Sequence, residues 1–145
     1  KTFDKNYEKE CNAKKVPLIE LLESSDVITL HVPYDRSTRH LISREELDLM
    51  KKSAILINTC RGGVVDENAL IKVLESKKIR AAGLDVTEVE PIEENNPLLN
   101  LNNVIITPHL ATRAKQSEVN AMHNVLANAS RVIKGEQPEW VVEPV

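Results

Sequence analysis

Glycine and aromatic residues are both scarce in this chain. Aromatics make up 3% of its 145 residues, and no basic run interleaved with them appears, so nothing resembles a stacking platform for nucleic acid. A formal net charge of -3 gives no electrostatic reason to bind a polyanion. The four glycines stand at 62, 63, 83 and 135, and none falls in the G-x-G-x-x-G spacing that cradles a diphosphate. No apolar stretch approaches the roughly 20 residues needed to span a bilayer. Residues 1–15 are too charged for the apolar core of a signal peptide. Cys11 and Cys60 lie in unrelated contexts without C-x-x-C spacing, which points away from a disulfide and towards a reducing, cytoplasmic setting.

What is present is an aliphatic, well-charged composition, 41% hydrophobic and 28% charged, suited to the interior of an α/β fold. Short β-branched runs at 26–32, 54–58, 81–86 and 104–107 read as strands, and stretches of helical period separate them. This alternation favours a parallel sheet with crossover helices. Brief runs of this kind are usual in strands covered on both faces. Ser43 before Arg44-Glu45-Glu46, and Asp66 before Glu67-Asn68-Ala69, place a capping oxygen and early acids where helix N–H groups await partners. A short helix is expected at 18–22 and a long one at 117–134. In the long one Val119, Met122, Val125, Leu126, Ala129 and Val132 or Ile133 recur on one face, read as core packing, and Gly135 is its stop. Residues 92–103 read as a loop with one turn of helix.

Three titratable residues follow three successive strands: Arg61, Glu90 and His109. In a parallel sheet such positions share one edge, where α/β folds bind ligands. A histidine supported by a carboxylate is a proton donor suited to neutral pH. An arginine fork suits a carboxylate substrate. Together the three could polarise and protonate a carbonyl beside a carboxylate. Taken one at a time, each also reads as an ordinary surface or strand-end residue.

The words around them weigh against that plainer reading. SDVITLHVP (25–33), INTCRGGVVDENAL (57–70), GLDV (83–86) with Glu90-Pro91, and TPHLA (107–111) resemble, in order, the D-isomer-specific 2-hydroxyacid dehydrogenases. That family includes phosphoglycerate, glycerate and D-lactate dehydrogenases and C-terminal-binding co-repressors. The likeness runs from about Val16 to the end. The separations of 29 residues from Arg61 to Glu90 and 19 from there to His109 suit the family.

The resemblance implies a Rossmann-like, doubly wound parallel sheet of four or five strands with flanking helices. Residues 1–145 would then be a partial dinucleotide-binding domain, its first βα unit and the substrate domain lying before residue 1. It implies hydride transfer between NAD and a small 2-hydroxy or 2-keto acid. Arg61 would bind substrate, Glu90 support the histidine, and His109 act as general acid and base. Val32, Pro33, Thr59, Cys60, Arg61, Asp85, His109 and Ala111 would line the cofactor, with Asp85 at the nicotinamide carboxamide. NAD is preferred to NADP on family prevalence, the piece alone is expected to be inactive, and His31 is read as structural. Glu88 is the alternative acid to Glu90, and Asp4 is a weak candidate for the ribose. Leu110-Ala111-Thr112-Arg113 departs from the family's small-residue turn. Without a neighbour for the 26–32 strand, its open edge should pair with a second copy or another partner. A nucleotide-sensing, co-repressor-like or scaffold module is the competing reading.

Overall fold

The structure, a computed structural model, describes residues 10–141. Asp4 and the ending at 142–145 lie outside the described residues. The chain divides into two compact units, Lys1–Pro108 and His109–Val145.

The first unit contains α1 (Leu18–Ser24), β1 (Val27–Leu30), α2 (Arg44–Leu49), β2 (Ile55–Asn58), α3 (Glu67–Glu75), β3 (Ala81–Leu84) and β4 (Val104–Ile106). Single 3-10 turns stand at Gly62–Val64 and Pro97–Asn100, the second being the expected helical turn between β3 and β4. The strands pair in parallel in the order β1-β2-β3-β4. Each is one to three residues shorter than the apolar run that announced it, because the ladder stops where the chain turns off the sheet edge.

Both capping signals are realised. Ser43 forms a capping box at α2, its amide donating to Glu46 Oε2 at 3.0 Å. Asp66 Oδ1 accepts the Ala69 amide at 2.9 Å at the start of α3. Leu70, Ile71, Val73 and Leu74 of α3 then bury against Leu56, Ala82 and Leu84 of the sheet, with Leu47 and Leu22 of the neighbouring helices completing the core.

The expectation of strands covered on both faces is corrected within this unit. Ile28, Leu30, Leu56, Asn58, Ala82 and Leu84 point into the core. The alternate residues form an open face, on which Val27 is 53% and Ile105 73% exposed. The cause is topological. Each strand is added on the same side of the one before, so right-handed crossovers put α2 and α3 on one face. Among the described residues β1 pairs only with β2, leaving its other edge open.

The second unit is α4 (Lys115–Ile133) and the tail that folds back on it. Gly135 at φ 75 ends the helix in a Schellman motif, with Glu136 N–H on Arg131 O at 2.9 Å and Gly135 N–H on Val132 O at 3.0 Å. The tail is tied by the Glu139 amide to Asn128 Oδ1 at 2.8 Å and by Arg131 Nε to Gln137 O at 2.7 Å. The reading of its apolar stripe as core packing is also corrected. No residue of α4 is buried, and Val119, Met122, Val125 and Leu126 are 55–65% exposed. One helix in a unit has no second layer to pack against.

Candidate functional site

The site is built on three turns at the C-terminal edge of the first unit's sheet. After β1, Asp35 folds the chain into an Asx turn: its Oδ1 accepts the Ser37 amide at 2.7 Å and hydroxyl at 2.6 Å, while Thr38 Oγ1 donates to Pro33 O at 2.7 Å. The Ser37 hydroxyl, and then its amide, hold the Asp35 carboxyl below its ordinary value, since both bond the charged form. This turn carries Tyr34, Arg39 and His40.

After β2, the side chain of Asn58, 1% exposed, organises the Arg61 turn. Its Nδ2 donates to Arg61 O at 2.9 Å and its Oδ1 accepts the Cys60 amide at 3.1 Å. Arg61 leaves the turn in an extended conformation, and its Nη1 donates to Cys60 O at 2.7 Å. Gly62 lets this turn approach the next loop: a Cβ there would lie 2.0 Å from Thr87 O.

After β3, Asp85 and Thr87 are buried, and Asp85 Oδ1 accepts the Thr107 hydroxyl at 2.5 Å. Thr87 Oγ1 donates to Val89 O at 2.8 Å, and the Thr87 amide donates to Glu90 Oε1 at 3.2 Å. The Glu90 carboxylate is thus turned back over its own loop. Glu88, the alternative acid, is engaged elsewhere: its Oε1 lies 2.7 Å from His40 Nε2.

These turns enclose a cleft of about 310 Å³ lined by Tyr34, Arg39, His40, Arg61, Glu88 and Glu90, with glycines 62 and 63 between them. Arg61 and Glu90 are therefore brought together, within one unit. A second cleft of about 510 Å³ is lined by His31, Val32, Pro33, Tyr34, Thr59, Cys60 and Arg61. Four residues assigned to the cofactor, Val32, Pro33, Thr59 and Cys60, meet there. Arg61 and Tyr34 border both clefts, so the two adjoin. His31, read as structural, also lines the second, with Nε2 2.9 Å from Thr29 Oγ1.

Asp85 lies beneath this edge and lines neither cleft. His109 and Ala111 belong to the second unit, where His109 takes a left-handed φ of 53. Such a backbone is uncommon outside glycine, though less so for histidine, and it clusters at functional positions.

Chemically, the first cleft joins a guanidinium fork to a carboxylate. The second pairs apolar Val32 and Pro33 with the Tyr34 ring and the Thr59 hydroxyl, which suits a nucleoside. Neither carries a G-x-G-x-x-G turn for a diphosphate. Among the described residues no group of His, Cys, Asp and Glu could hold a metal, and no helix is long and apolar enough to cross a membrane.

Sequence reasoning missed Asn58, Tyr34, Arg39 and His40. For Asn58 a signal existed, since an asparagine ending a strand just before Thr59-Cys60-Arg61 can bond the backbone two and three residues on. The others carry no local signature.

A parallel α/β sheet with polar turns gathered at its C-terminal edge, beside a cleft lined by Val32, Pro33, Thr59 and Cys60, has the Rossmann-like arrangement of a dinucleotide-binding domain. The chain belongs to the D-isomer specific 2-hydroxyacid dehydrogenase, NAD binding domain family, which matches residues 1–111. It is 45% identical over 137 residues to a glyoxylate reductase of Korarchaeum cryptofilum, covering 94% of this chain and 41% of that one. It is 49% identical over 123 residues to a D-3-phosphoglycerate dehydrogenase of Methanocaldococcus jannaschii, covering 85% of this chain and 23% of that protein. The crystal structure of D-lactate dehydrogenase with NAD+ from Lactobacillus jensenii superposes with a TM-score of 0.88 at 31% identity, over 99% of this chain and 46% of that one. The chain therefore spans less than half the length of these relatives.

Proposed function

We propose that this chain supplies the cofactor-side half of an NAD-dependent D-2-hydroxyacid dehydrogenase acting on a small 2-keto or 2-hydroxy acid. The carrying observation is the pair of adjoining clefts that share Arg61, one holding Glu90 and the other holding Val32, Pro33, Thr59 and Cys60. When bound, NAD supplies or accepts the hydride.

The residues of the chain do the rest. Arg61 presents parallel N–H donors to the substrate carboxylate, fixing which way the neighbouring carbonyl faces. His109 gives a proton to the carbonyl oxygen on reduction and takes it back on oxidation, a task suited to an imidazole near neutral pH. Glu90 is the acid that favours the protonated imidazole. Val32, Pro33, Thr59 and Cys60 hold the nucleoside, and Asp85 and Ala111 complete the cofactor set inherited from the resemblance. Residues 1–145 form part of one dinucleotide-binding domain in this reading, and the open edge of β1 is covered by a second copy or another partner.

The test is NADH oxidation by the full natural chain against a panel of 2-keto acids, with Arg61→Lys and His109→Asn beside the wild type. Turnover of at least one acid, lost in both variants, supports the reading. Turnover of none contradicts it, and nucleotide binding without turnover would favour a sensing or scaffold module instead.

A further inference from the structure

We propose that His40 is a positioning residue: a strut that holds the Arg61 turn and the Glu90 loop at a fixed separation across the cleft. The proposal rests on the roles just given to Arg61 and Glu90.

The geometry is reciprocal. His40 has its own amide on Gly63 O at 2.9 Å, two residues past Arg61. Its Nε2 lies 2.7 Å from Glu88 Oε1, two residues before Glu90. A carboxylate only accepts, so the imidazole donates here. One residue thus touches both turns, one with its backbone and one with its side chain. A left-handed φ of 48 lets it face both ways.

Glu88 is in turn clasped to the start of α3. Its amide donates to Glu67 Oε2 at 2.9 Å, and the Glu67 amide donates to Glu88 Oε1 at 3.3 Å. Glu67 Oε1 accepts Asn96 Nδ2 at 2.8 Å. Two neighbouring carboxylates would ordinarily repel. Here each accepts N–H groups, and the first turn of a helix favours negative charge.

Magnitudes separate positioning from plain stabilisation. The His40 and Glu88 side chains are 35% and 29% exposed, and even a fully charged pair so open to solvent contributes about 0–1 kcal/mol to stability. A misplacement of about 1 Å at a reacting site can cost about 100-fold in rate. Deleting the strut should therefore damage catalysis far more than folding.

The experiment uses the full chain with His40→Ala, Glu88→Ala and His40→Gln, whose amide nitrogen can donate where the imidazole Nε2 stands. Both alanine variants are expected to lose about 10-fold or more in kcat, with KM for the 2-keto acid changed less than about 3-fold and melting temperature nearly unchanged. His40→Gln should recover most of the kcat. Unchanged kcat in the alanine variants, or no recovery with glutamine, overturns the proposal.

Selective 15N-threonine labelling supplies a readout without turnover, because the Thr87 amide donates to Glu90 Oε1. Its resonance should move in both alanine variants and return in His40→Gln. If the wild type reduces no 2-keto acid, the dehydrogenase reading fails. The Thr87 signal then decides the strut alone: movement with recovery supports it, and a stationary signal overturns it.

Discussion

The two edges of the parallel sheet carry comparable numbers of polar residues and use them differently. At the C-terminal edge Asn58 and Glu90 are tied to backbone groups of their own turns, and Asp85 and Glu88 to Thr107 and Glu67, which are more than 20 residues away in sequence. At the N-terminal edge Lys51, Lys52, Lys77, Arg80, Asn102 and Asn103 line a shallow cleft, where Asn103 is tied to backbone, its Nδ2 donating to Leu74 O at 3.2 Å, and most of the others are charged side chains. Its three lysines stand just past the ends of α2 and α3, where cations complement the free carbonyls. Lys51 reaches Asp26 at 3.0 Å, a largely solvated pair. The difference teaches that polar residues mark a site when they are held in place, and that positive charge alone does not.

The comparison can be broken from either side. The largest effect belongs to Arg61→Ala in the full chain. Removing one partner of a charge-assisted pair costs about 2–5 kcal/mol, so kcat/KM for a 2-keto acid should fall by about 30-fold to several thousand-fold. Steady-state kinetics check this, and an unaffected kcat/KM would erase the distinction between the edges. Next comes Gly62→Ala. Its new Cβ would press on Thr87 O, so the turn must shift, at about 1–3 kcal/mol of stability in denaturant titration and with loss of activity beyond that.

Smaller again is Ser43→Ala, which removes a helix cap worth about 1 kcal/mol. Its pH dependence sharpens the point. The Ser43 hydroxyl holds the Glu46 carboxyl below its ordinary value of 4.5. A carboxyl lowered on folding contributes stability that is present above the unfolded value and lost as pH falls through the folded one. The wild type should therefore lose stability on acidification below about 4.5, with a shallower loss in Ser43→Ala, measurable by thermal melts across that range. The smallest effect is expected at the other edge, where Lys52→Ala and Lys77→Ala should each change stability by no more than about 0.5 kcal/mol and leave kcat and KM alone.

Much of this was legible in the sequence because its signals are local. Ser43 and Asp66 announce their helices, Gly135 ends the last one, and the four strands coincide with apolar runs. The words around Arg61 and Glu90 foretell residues that meet in one cleft, and Val32, Pro33, Thr59 and Cys60 meet in its neighbour. The covering of the sheet was not legible, because runs such as 54–58 read alike whether one face or both are packed. Nor was the exposure of α4, since periodicity shows that a stripe exists and not what lies against it. The His40–Glu88 contact joins residues 48 apart and leaves no mark in either neighbourhood.

The most direct measurement is a crystal structure of the full chain with NADH and oxamate, an unreactive analogue of a 2-keto acid. The oxamate carboxylate is expected on the Arg61 guanidinium, in the cleft shared with Glu90, and the nicotinamide nucleoside along Val32, Pro33, Thr59 and Cys60. Oxamate bound away from Arg61, or a nucleotide seated at the lysine-lined edge, would contradict that expectation.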